Sequence, residues 1–221
     1  MSRPATSGAK QDFPRTMVMP DTASLSDLPA IKAAMRHEMT ERRRDAAARA
    51  APSAAEIAKN HFLASIPLHD GATVSAFWPL PDEFDTRPLM YALHERGHPI
   101  GLPVVEKRGL PLRFRVWAPD VPLVRGNFNV ETPGKDAPEC VPEILVVPLL
   151  AFDRKGYRLG YGGGFYDRTI AGLRAAGGAN GPTLAVGYAY AGQEIDAVPH
   201  DDTDAQLDWI VTERDALRIA R

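Results

Sequence analysis

The segment EILVVPLLAF, residues 143–152, is almost continuously apolar and constrains the fold more than any other part of the sequence. A strand with apolar side chains at nearly every position has both faces covered, as in the centre of a parallel sheet. Such a strand needs helices on either side of its sheet. The segment therefore predicts a buried central strand in a layered α/β structure.

Strand and helix patterns alternate along the rest of the chain. This alternation predicts an α/β fold with a single domain of three layers, in which helices flank a mainly parallel sheet. The other strand patterns lie at 72–78, 99–105, 112–117, 183–190 and 207–213. The helical patterns lie at 26–45, from 53 onward, at 86–97 and at 165–178.

Composition limits the classes of function. The chain has 221 residues, a net charge of −2 and one cysteine, which excludes a disulfide within the chain. No apolar run has the length of a membrane span, and the charge gives no indication of a nucleic-acid partner. We therefore expect a cytoplasmic monomer that binds neither membrane nor nucleic acid, and interpret the Arg42–Arg44 run as a solvated helix face. Residues 1–25 are predicted to form a flexible tail before one domain at 26–221.

The segment RLGYGGGFYDR, residues 158–168, carries four glycines. Because glycine is entropically costly to order, such a cluster indicates an unusual backbone or the close approach of a ligand. The spacing matches neither a Walker A loop nor a dinucleotide fingerprint. The residues alone leave two interpretations open: a tight structural turn, or a loop that presents N–H groups to a phosphate at the start of the next helix.

Charged residues flank these glycines. Arg158 and Arg168 have the fork geometry that suits phosphate oxygens, and Asp167 is a candidate ligand for Mg²⁺, which commonly takes one or two protein carboxylates. Arg168 fits a solvent-facing position on the helix equally well. Asp167 also fits a residue that stabilises the positive end of the helix dipole.

Residues 146–168, VVPLLAFDRKGYRLGYGGGFYDR, closely resemble the signature of the 5-formyltetrahydrofolate cyclo-ligase family, also called methenyltetrahydrofolate synthetases. The resemblance extends over about residues 28–213. The other matching segments are Lys32 with Arg36, DEFDT at 82–86, GNFNVETP at 126–133 and AVPHDDTDAQLDWIVTE at 197–213.

The resemblance implies an enzyme that uses ATP and Mg²⁺ to convert 5-formyltetrahydrofolate into 5,10-methenyltetrahydrofolate. In the implied reaction the formyl oxygen takes the γ-phosphoryl group of ATP, and N10 then closes the ring as phosphate leaves. This chemistry requires no nucleophilic residue of the protein. It requires cations and N–H groups around the phosphates, a metal ion and a pocket for a flat aromatic substrate.

The resemblance also implies a role for each candidate site residue. The catalytic residues are Arg158, Lys32 and Asp167. The ATP-binding residues are Lys32, Arg36, Arg158, Gly160, Tyr161, Gly162, Gly163, Gly164, Phe165, Tyr166, Asp167 and Arg168. The substrate-binding candidates are Glu83, whose carboxylate suits the N–H groups of a pterin, and Phe128, Trp117 and Tyr166, which the chemistry of their rings suggests as flat faces for the substrate. The Mg²⁺ ligands are Asp167 and Asp204.

The residues themselves leave other interpretations open. Lys32 and Arg36, four positions apart, also fit a solvated helix face. Glu83 fits an acidic residue at the start of a helix, and Trp117 fits the core. Asp204 fits a loop carboxylate without a metal.

Four positions depart from the family pattern, and two other functions stay open. Leu149 replaces a frequent glycine, Asp201 a glutamate and Thr203 a histidine, while Gly163 stands where some members carry lysine. One alternative is a phosphate-substrate isomerase or transferase on a similar α/β frame. The other is a non-catalytic protein that binds folate or nucleotide.

Overall fold

The computed structural model describes residues 27–178 and 180–220, so the predicted N-terminal tail lies outside the described residues. An eight-stranded sheet forms the centre, in the order β12-β11-β10-β7-β1-β2-β3-β6. The strands from β11 to β2 in that order are parallel, and β12, β3 and β6 join antiparallel at the two edges. The predicted mainly parallel sheet is confirmed. None of the described helices has the length and apolar character needed to cross a membrane.

The elements have the following bounds. The helices are α1 (Leu28–Arg49), α2 (Ala54–Ser65), α3 (Arg87–Glu95) and α4 (Phe165–Ala176). The strands are β1 (Val74–Ser75), β2 (Ile100–Val104), β3 (Arg113–Trp117), β4 (Leu123–Arg125), β5 (Glu131–Pro133), β6 (Glu139–Cys140), β7 (Ile144–Val147), β8 (Ala151–Phe152), β9 (Arg158–Leu159), β10 (Leu184–Tyr188), β11 (Trp209–Val211) and β12 (Ala216–Arg218).

Each face of the central sheet is covered by helices, which gives the three predicted layers. Successive side chains of a strand point to opposite faces, and β7 is buried on both. Val146 packs with Phe62 of α2 and Leu93 of α3. Leu145 packs on the other face with Ile170 of α4. This two-sided burial explains why the sequence of β7 is apolar at every position.

The central strand is shorter than the sequence pattern predicts. β7 ends at Val147, and Pro148, which lacks an N–H to donate, follows it. The rest of the apolar run continues into β8, which pairs with β9 in a separate two-stranded hairpin. This hairpin leads directly into the glycine-rich segment. The end of the apolar run thus positions that segment at the carboxyl edge of β7.

Helix α1 lies against the β8–β9 hairpin rather than against the main sheet. Met35 and Met39 are buried with Leu150 and Leu159 in a core cluster of their own. The same side of α1 carries basic residues, since Lys32, Arg36 and Arg43 follow the helical spacing of the two methionines. A helix from the beginning of the chain therefore presents its cations to the glycine-rich segment.

Candidate active site

The glycine-rich segment forms one wall of a cavity of about 870 Å³, within the usual range for ligand sites. We call residues 160–164, between β9 and α4, the glycine loop. Every predicted site residue except Trp117 lines the cavity. The predicted residues that do so are Lys32, Arg36, Glu83, Phe128, Arg158, Gly160, Tyr161, Gly162, Gly163, Gly164, Phe165, Tyr166, Asp167, Arg168 and Asp204.

The geometry of the glycine loop requires its glycines at specific positions. Gly162 has φ +91° and Gly164, the residue that precedes α4, has φ +62°. A Cβ atom at Gly162 would lie 3.0 Å from Cζ of Arg36, and one at Gly164 would lie 2.6 Å from Nη1 of Arg168. The loop is therefore packed against guanidinium groups on two sides, with the N-terminal end of α4 at the cavity.

Two basic residues of α1 contact the site. Arg36 donates from Nε to the carbonyl oxygen of Gly160 at 3.0 Å, and Lys32 forms an ion pair with Asp204. The structure thus contradicts the interpretation of Lys32 and Arg36 as a merely solvated face. It brings both to the cavity, with Arg36 on the glycine loop and Lys32 on Asp204.

Arg158 is buried beneath the glycine loop. Its Nη2 donates to Oδ1 of Asp167 at 2.7 Å, and its Nη1 donates to the carbonyl oxygen of Ala205. Burial lowers the pKa of Arg158, whereas the negative charge of Asp167 opposes that shift. The guanidinium stays charged because its pKa starts far above neutrality.

Asp167 and Asp204 line the cavity with carboxylates, the ligands that Mg²⁺ takes from proteins in ones or twos. Oδ1 of Asp167 accepts from Arg158 and from the backbone N–H of Ala205 at 3.1 Å. Oδ2 of Asp204 accepts from Lys32 and from the N–H of Asp201 at 2.8 Å. The described residues give the other oxygen of each carboxylate no hydrogen bond, and include no cluster of three metal-ligating side chains. Phosphate oxygens and waters complete such a Mg²⁺ shell.

Arg168 is turned towards the glycine loop rather than towards solvent. Its Nη2 donates to the carbonyl oxygen of Gly163 at 2.7 Å, and its guanidinium lies 5.4 Å from the ring centre of Phe165. The solvent-facing alternative for Arg168 is therefore wrong. This residue fixes the loop conformation from the first turn of α4.

Glu83 and the glycine loop meet across the cavity. Oε1 of Glu83 accepts a hydrogen bond from the Tyr161 hydroxyl, and that hydroxyl in turn accepts from Arg43. Oε2 accepts from the N–H of Leu80 at 2.8 Å. The carboxylate lies in the turn before α3 and is hydrogen-bonded to Tyr161 of the glycine loop. The interpretation of Glu83 as an acidic residue that only stabilises the start of a helix therefore does not account for its contacts.

Arg43 is the main residue that sequence reasoning missed. It is only 6% exposed, and Arg42 beside it donates to the carbonyl oxygens of Gly192 and Glu194 at 2.7 and 2.8 Å. The interpretation of Arg42–Arg44 as a solvated face is therefore wrong for Arg42 and Arg43, and it holds for Arg44. The helical spacing could have predicted the burial of Arg43, because this residue lies seven positions after Arg36, on the face of α1 that carries Met39.

The predicted aromatic contacts divide into two groups. Phe128 and Tyr166 line the cavity, and Phe128 is 53% exposed with φ +59°. Trp117 is 3% exposed and packs against Trp78, Tyr91 and His94. Trp117 was expected to contact the substrate, but it is a core residue. It lies at the end of β3, and its side chain packs under α3.

Three of the departures from the family pattern, Leu149, Asp201 and Thr203, have a local structural counterpart. Leu149, which replaces a glycine, is buried against β10 at Gly187. A Cβ at Gly187 would lie 3.0 Å from Cδ2 of Leu149, so the absence of a side chain at Gly187 leaves room for the leucine. Thr203 donates from its N–H to Oδ1 of Asp201 at 2.8 Å, while the N–H of Asp201 reaches Asp204. The altered loop thus still presents a carboxylate to the cavity.

The chain is similar to known proteins over most of its length. Residues 29–213 match the profile of the 5-formyltetrahydrofolate cyclo-ligase family. A 5-formyltetrahydrofolate cyclo-ligase of Escherichia coli is 34% identical over 145 residues, which cover 63% of this chain and 77% of that protein. One of Haemophilus influenzae is 31% identical over 152 residues, covering 66% and 79%. The NMR structure of Aquifex aeolicus 5,10-methenyltetrahydrofolate synthetase has a TM-score of 0.63 at 26% identity and covers 88% of this chain and 94% of that one.

Proposed function

This chain belongs to the 5-formyltetrahydrofolate cyclo-ligase family, and we propose that it catalyses the cyclisation of 5-formyltetrahydrofolate to 5,10-methenyltetrahydrofolate with MgATP as co-substrate. The observation that carries the proposal is the shared cavity. One wall is the glycine loop with Lys32, Arg36 and Arg158, and Glu83 and Phe128 line the same space. A cationic wall suits phosphates, and a carboxylate with an aromatic ring suits a pterin.

The first half of the reaction activates the formyl group. The formyl oxygen attacks the γ-phosphorus of ATP, the bond from that phosphorus to the β–γ bridging oxygen breaks, and ADP leaves. The protein contributes mainly position and charge stabilisation to such a transfer. Lys32, Arg158 and the N–H groups at the start of α4 line the cavity and would stabilise the charge that develops on the phosphoryl oxygens. Arg36 holds the loop backbone through Gly160.

The second half closes the ring. N10 attacks the carbon of the phosphorylated formyl group, phosphate leaves with the former formyl oxygen, and N10 loses its proton. Asp167 and Asp204 would hold Mg²⁺, which supplies positive charge to the phosphate oxygens. Burial raises the pKa of the Tyr166 hydroxyl, so this group stays protonated beside the cavity as a hydrogen-bond donor.

The folate would bind through Glu83 and Phe128. An ionised carboxylate offers about four lone-pair sites, and the two oxygens of Glu83 accept one hydrogen bond each from the protein. The remaining sites suit the amino and ring N–H groups of a pterin. The exposed ring of Phe128 offers a flat face to the rest of the substrate.

The direct test is formation of the product. Purified protein is mixed with 5-formyltetrahydrofolate, ATP and Mg²⁺, and the near-ultraviolet absorbance of the methenyl product is followed. We expect product only when ATP and Mg²⁺ are both present, with ADP and phosphate released in equal amounts. A folded protein that binds both ligands and forms no product would instead be a non-catalytic binding protein.

A further inference from the structure

A buried arginine, a loop tyrosine and a buried glutamate form one connected group, which we call the Arg43–Tyr161–Glu83 triad. Arg43 comes from α1, Tyr161 from the glycine loop and Glu83 from the turn before α3. Nη1 of Arg43 donates to the Tyr161 hydroxyl and lies 3.8 Å from Oε1 of Glu83. Removing these charges from water is costly unless they are paired, so the pairing holds three distant segments together.

Tyr161 gives the triad a direct connection to the nucleotide side of the cavity. Both of its neighbours in the loop contact Arg36: the carbonyl oxygen of Gly160 accepts from Arg36, and Gly162 packs on the same guanidinium. Any shift of the loop therefore moves the Tyr161 hydroxyl. Tyr161 is 48% exposed, but its hydroxyl lies between Arg43 and Glu83. Removal of this hydroxyl from water and the charge of Glu83 raise its pKa, so it keeps the proton that it donates.

Glu83 gives the triad its connection to the folate side. Its side chain is 6% exposed, and its two oxygens are fixed by Tyr161 and by the N–H of Leu80. A carboxylate fixed in this way presents its remaining lone pairs in one direction. Without the Tyr161 hydroxyl, Oε1 would keep only the longer contact to Arg43 and would lose its defined orientation.

We propose that Arg43 and Tyr161 are positioning residues that make the orientation of Glu83 depend on the conformation of the glycine loop, so that nucleotide and folate bind with positive cooperativity. This inference rests on the proposed function. Nucleotide that holds the loop in this conformation also holds Tyr161 and, through it, Glu83. The second ligand then meets a site already ordered by the first and binds more tightly. Linkage requires the effect to be equal in both directions.

The test measures binding without turnover. The Kd of 5-formyltetrahydrofolate is measured by calorimetry with and without Mg²⁺ and a non-hydrolysable ATP analogue, and the ratio of the two values is the coupling factor. In the unmodified protein we expect a factor in the range of about 5 to 150. In Tyr161→Phe, which keeps the ring and removes only the hydroxyl, we expect a factor near one.

The matched control is Tyr91→Phe. Tyr91 lies on α3, is 42% exposed and contacts Trp117 rather than the cavity, so the coupling factor should stay at the unmodified value. Two variants of Arg43 test the inference independently of Tyr161→Phe. Arg43→Met should abolish coupling, and Arg43→Lys should restore part of it because the cation is retained.

The outcomes separate the two proposals. If the unmodified protein binds neither ligand, the proposed function fails. If it binds both ligands with a coupling factor of one, or if Tyr161→Phe keeps the full factor, the cooperativity inference is overturned while the proposed function stands. If the Tyr161→Phe protein does not fold, Arg43→Lys and Arg43→Met are compared instead. Equal coupling factors in these two variants would also overturn the cooperativity inference.

Discussion

Arg158 and Asp167 close the base of the glycine loop, with Nη2 of the arginine 2.7 Å from Oδ1 of the aspartate. Arg158 begins β9, the short strand before the loop, and Asp167 lies in the first turn of α4 after it, so their ion pair spans the loop. The pair leaves Oδ2 of Asp167 without a hydrogen bond from the described residues. Asp167 therefore has two roles in the proposed mechanism, to orient Arg158 and to offer an oxygen to Mg²⁺.

Replacement of Asp167 by asparagine should greatly reduce turnover. The amide keeps the size of the side chain but removes the charge that pairs with Arg158 and attracts Mg²⁺. We expect kcat to fall by about 100-fold, the scale for loss of one charge-stabilising group, and the Mg²⁺ concentration for half-maximal rate to rise. Initial rates over a Mg²⁺ titration measure both effects.

Asp202→Asn is the matched control. Asp202 is exposed in the nearby C-terminal loop, and its replacement should leave kcat within about twofold, since exposed substitutions away from contacts have small effects. Equal losses in the two variants would contradict the assignment of Asp167.

Gly162→Ala should impair nucleotide binding. Its φ of +91° disfavours any L-residue, and the new Cβ would lie 3.0 Å from Cζ of Arg36. The side chain of Arg36 would have to move away and lose its contact with Gly160. We expect the KM for ATP to rise about tenfold, which corresponds to about 1.4 kcal/mol. Rates measured at varied ATP concentration test this.

Gly172→Ala controls for the general effect of replacing glycine. Gly172 lies inside α4, and a Cβ there would meet nothing within 4 Å. Alanine should raise the free energy of unfolding by about 0.5–1 kcal/mol because it is the better helix former, with no change in the KM for ATP. An unchanged KM in Gly162→Ala as well would disprove the packing argument.

The main sheet was predictable where the sequence is buried on both faces. The segment around Val146 indicates a central strand because helices cover both sides of it. The short strands β4, β5, β6, β9 and β12 were not predicted, and β8 was predicted only as the end of one long strand with β7. Each has only two or three residues and depends on pairing with another strand. Such strands carry too little periodicity to be recognised in isolation.

The residues alone predict the part of the site that is close in sequence, whereas the distant residues Lys32, Arg36 and Glu83 were assigned through the family resemblance. Arg158 and Asp167 flank the same loop, so their meeting follows from the local pattern. The burial of Arg43 depends on the position of α1 over the glycine loop, which no local pattern specifies. Trp117 was misassigned for the same reason, because an aromatic residue at a strand end fits both a pocket and a core.

Arg43→Met should destabilise the fold far more than Arg44→Met. Arg43 has an 8% exposed side chain paired with Glu83, whereas the side chain of Arg44 is 53% exposed. Removing one partner of a buried pair costs about 3 kcal/mol, and an exposed pair contributes less than about 1 kcal/mol. Urea unfolding of both variants gives the two free energies. Similar values for the pair would show that Arg43 is not buried in solution.

Phe128 and Trp117 should respond to substitution in opposite ways. Phe128 lines the cavity with φ +59° and an exposed ring, so Phe128→Gly removes the ring and relieves the backbone. Relief of an unfavourable φ, about 1 kcal/mol, is offset by the similar entropic cost of glycine. The free energy of unfolding should therefore change little, while the KM for 5-formyltetrahydrofolate should rise about tenfold, equivalent to about 1.4 kcal/mol.

Trp117→Phe should do the reverse. The indole is buried between β3 and α3 and contacts Tyr91 and Trp78, so the smaller ring leaves a cavity and lowers the free energy of unfolding by about 2 kcal/mol. The KM for folate should stay unchanged, because Trp117 does not line the site. Thermal unfolding of Phe128→Gly and Trp117→Phe measures the change in stability. Rates at varied 5-formyltetrahydrofolate concentration measure the KM of each variant. A raised KM in Trp117→Phe without loss of stability would return Trp117 to the substrate pocket and remove it from the core.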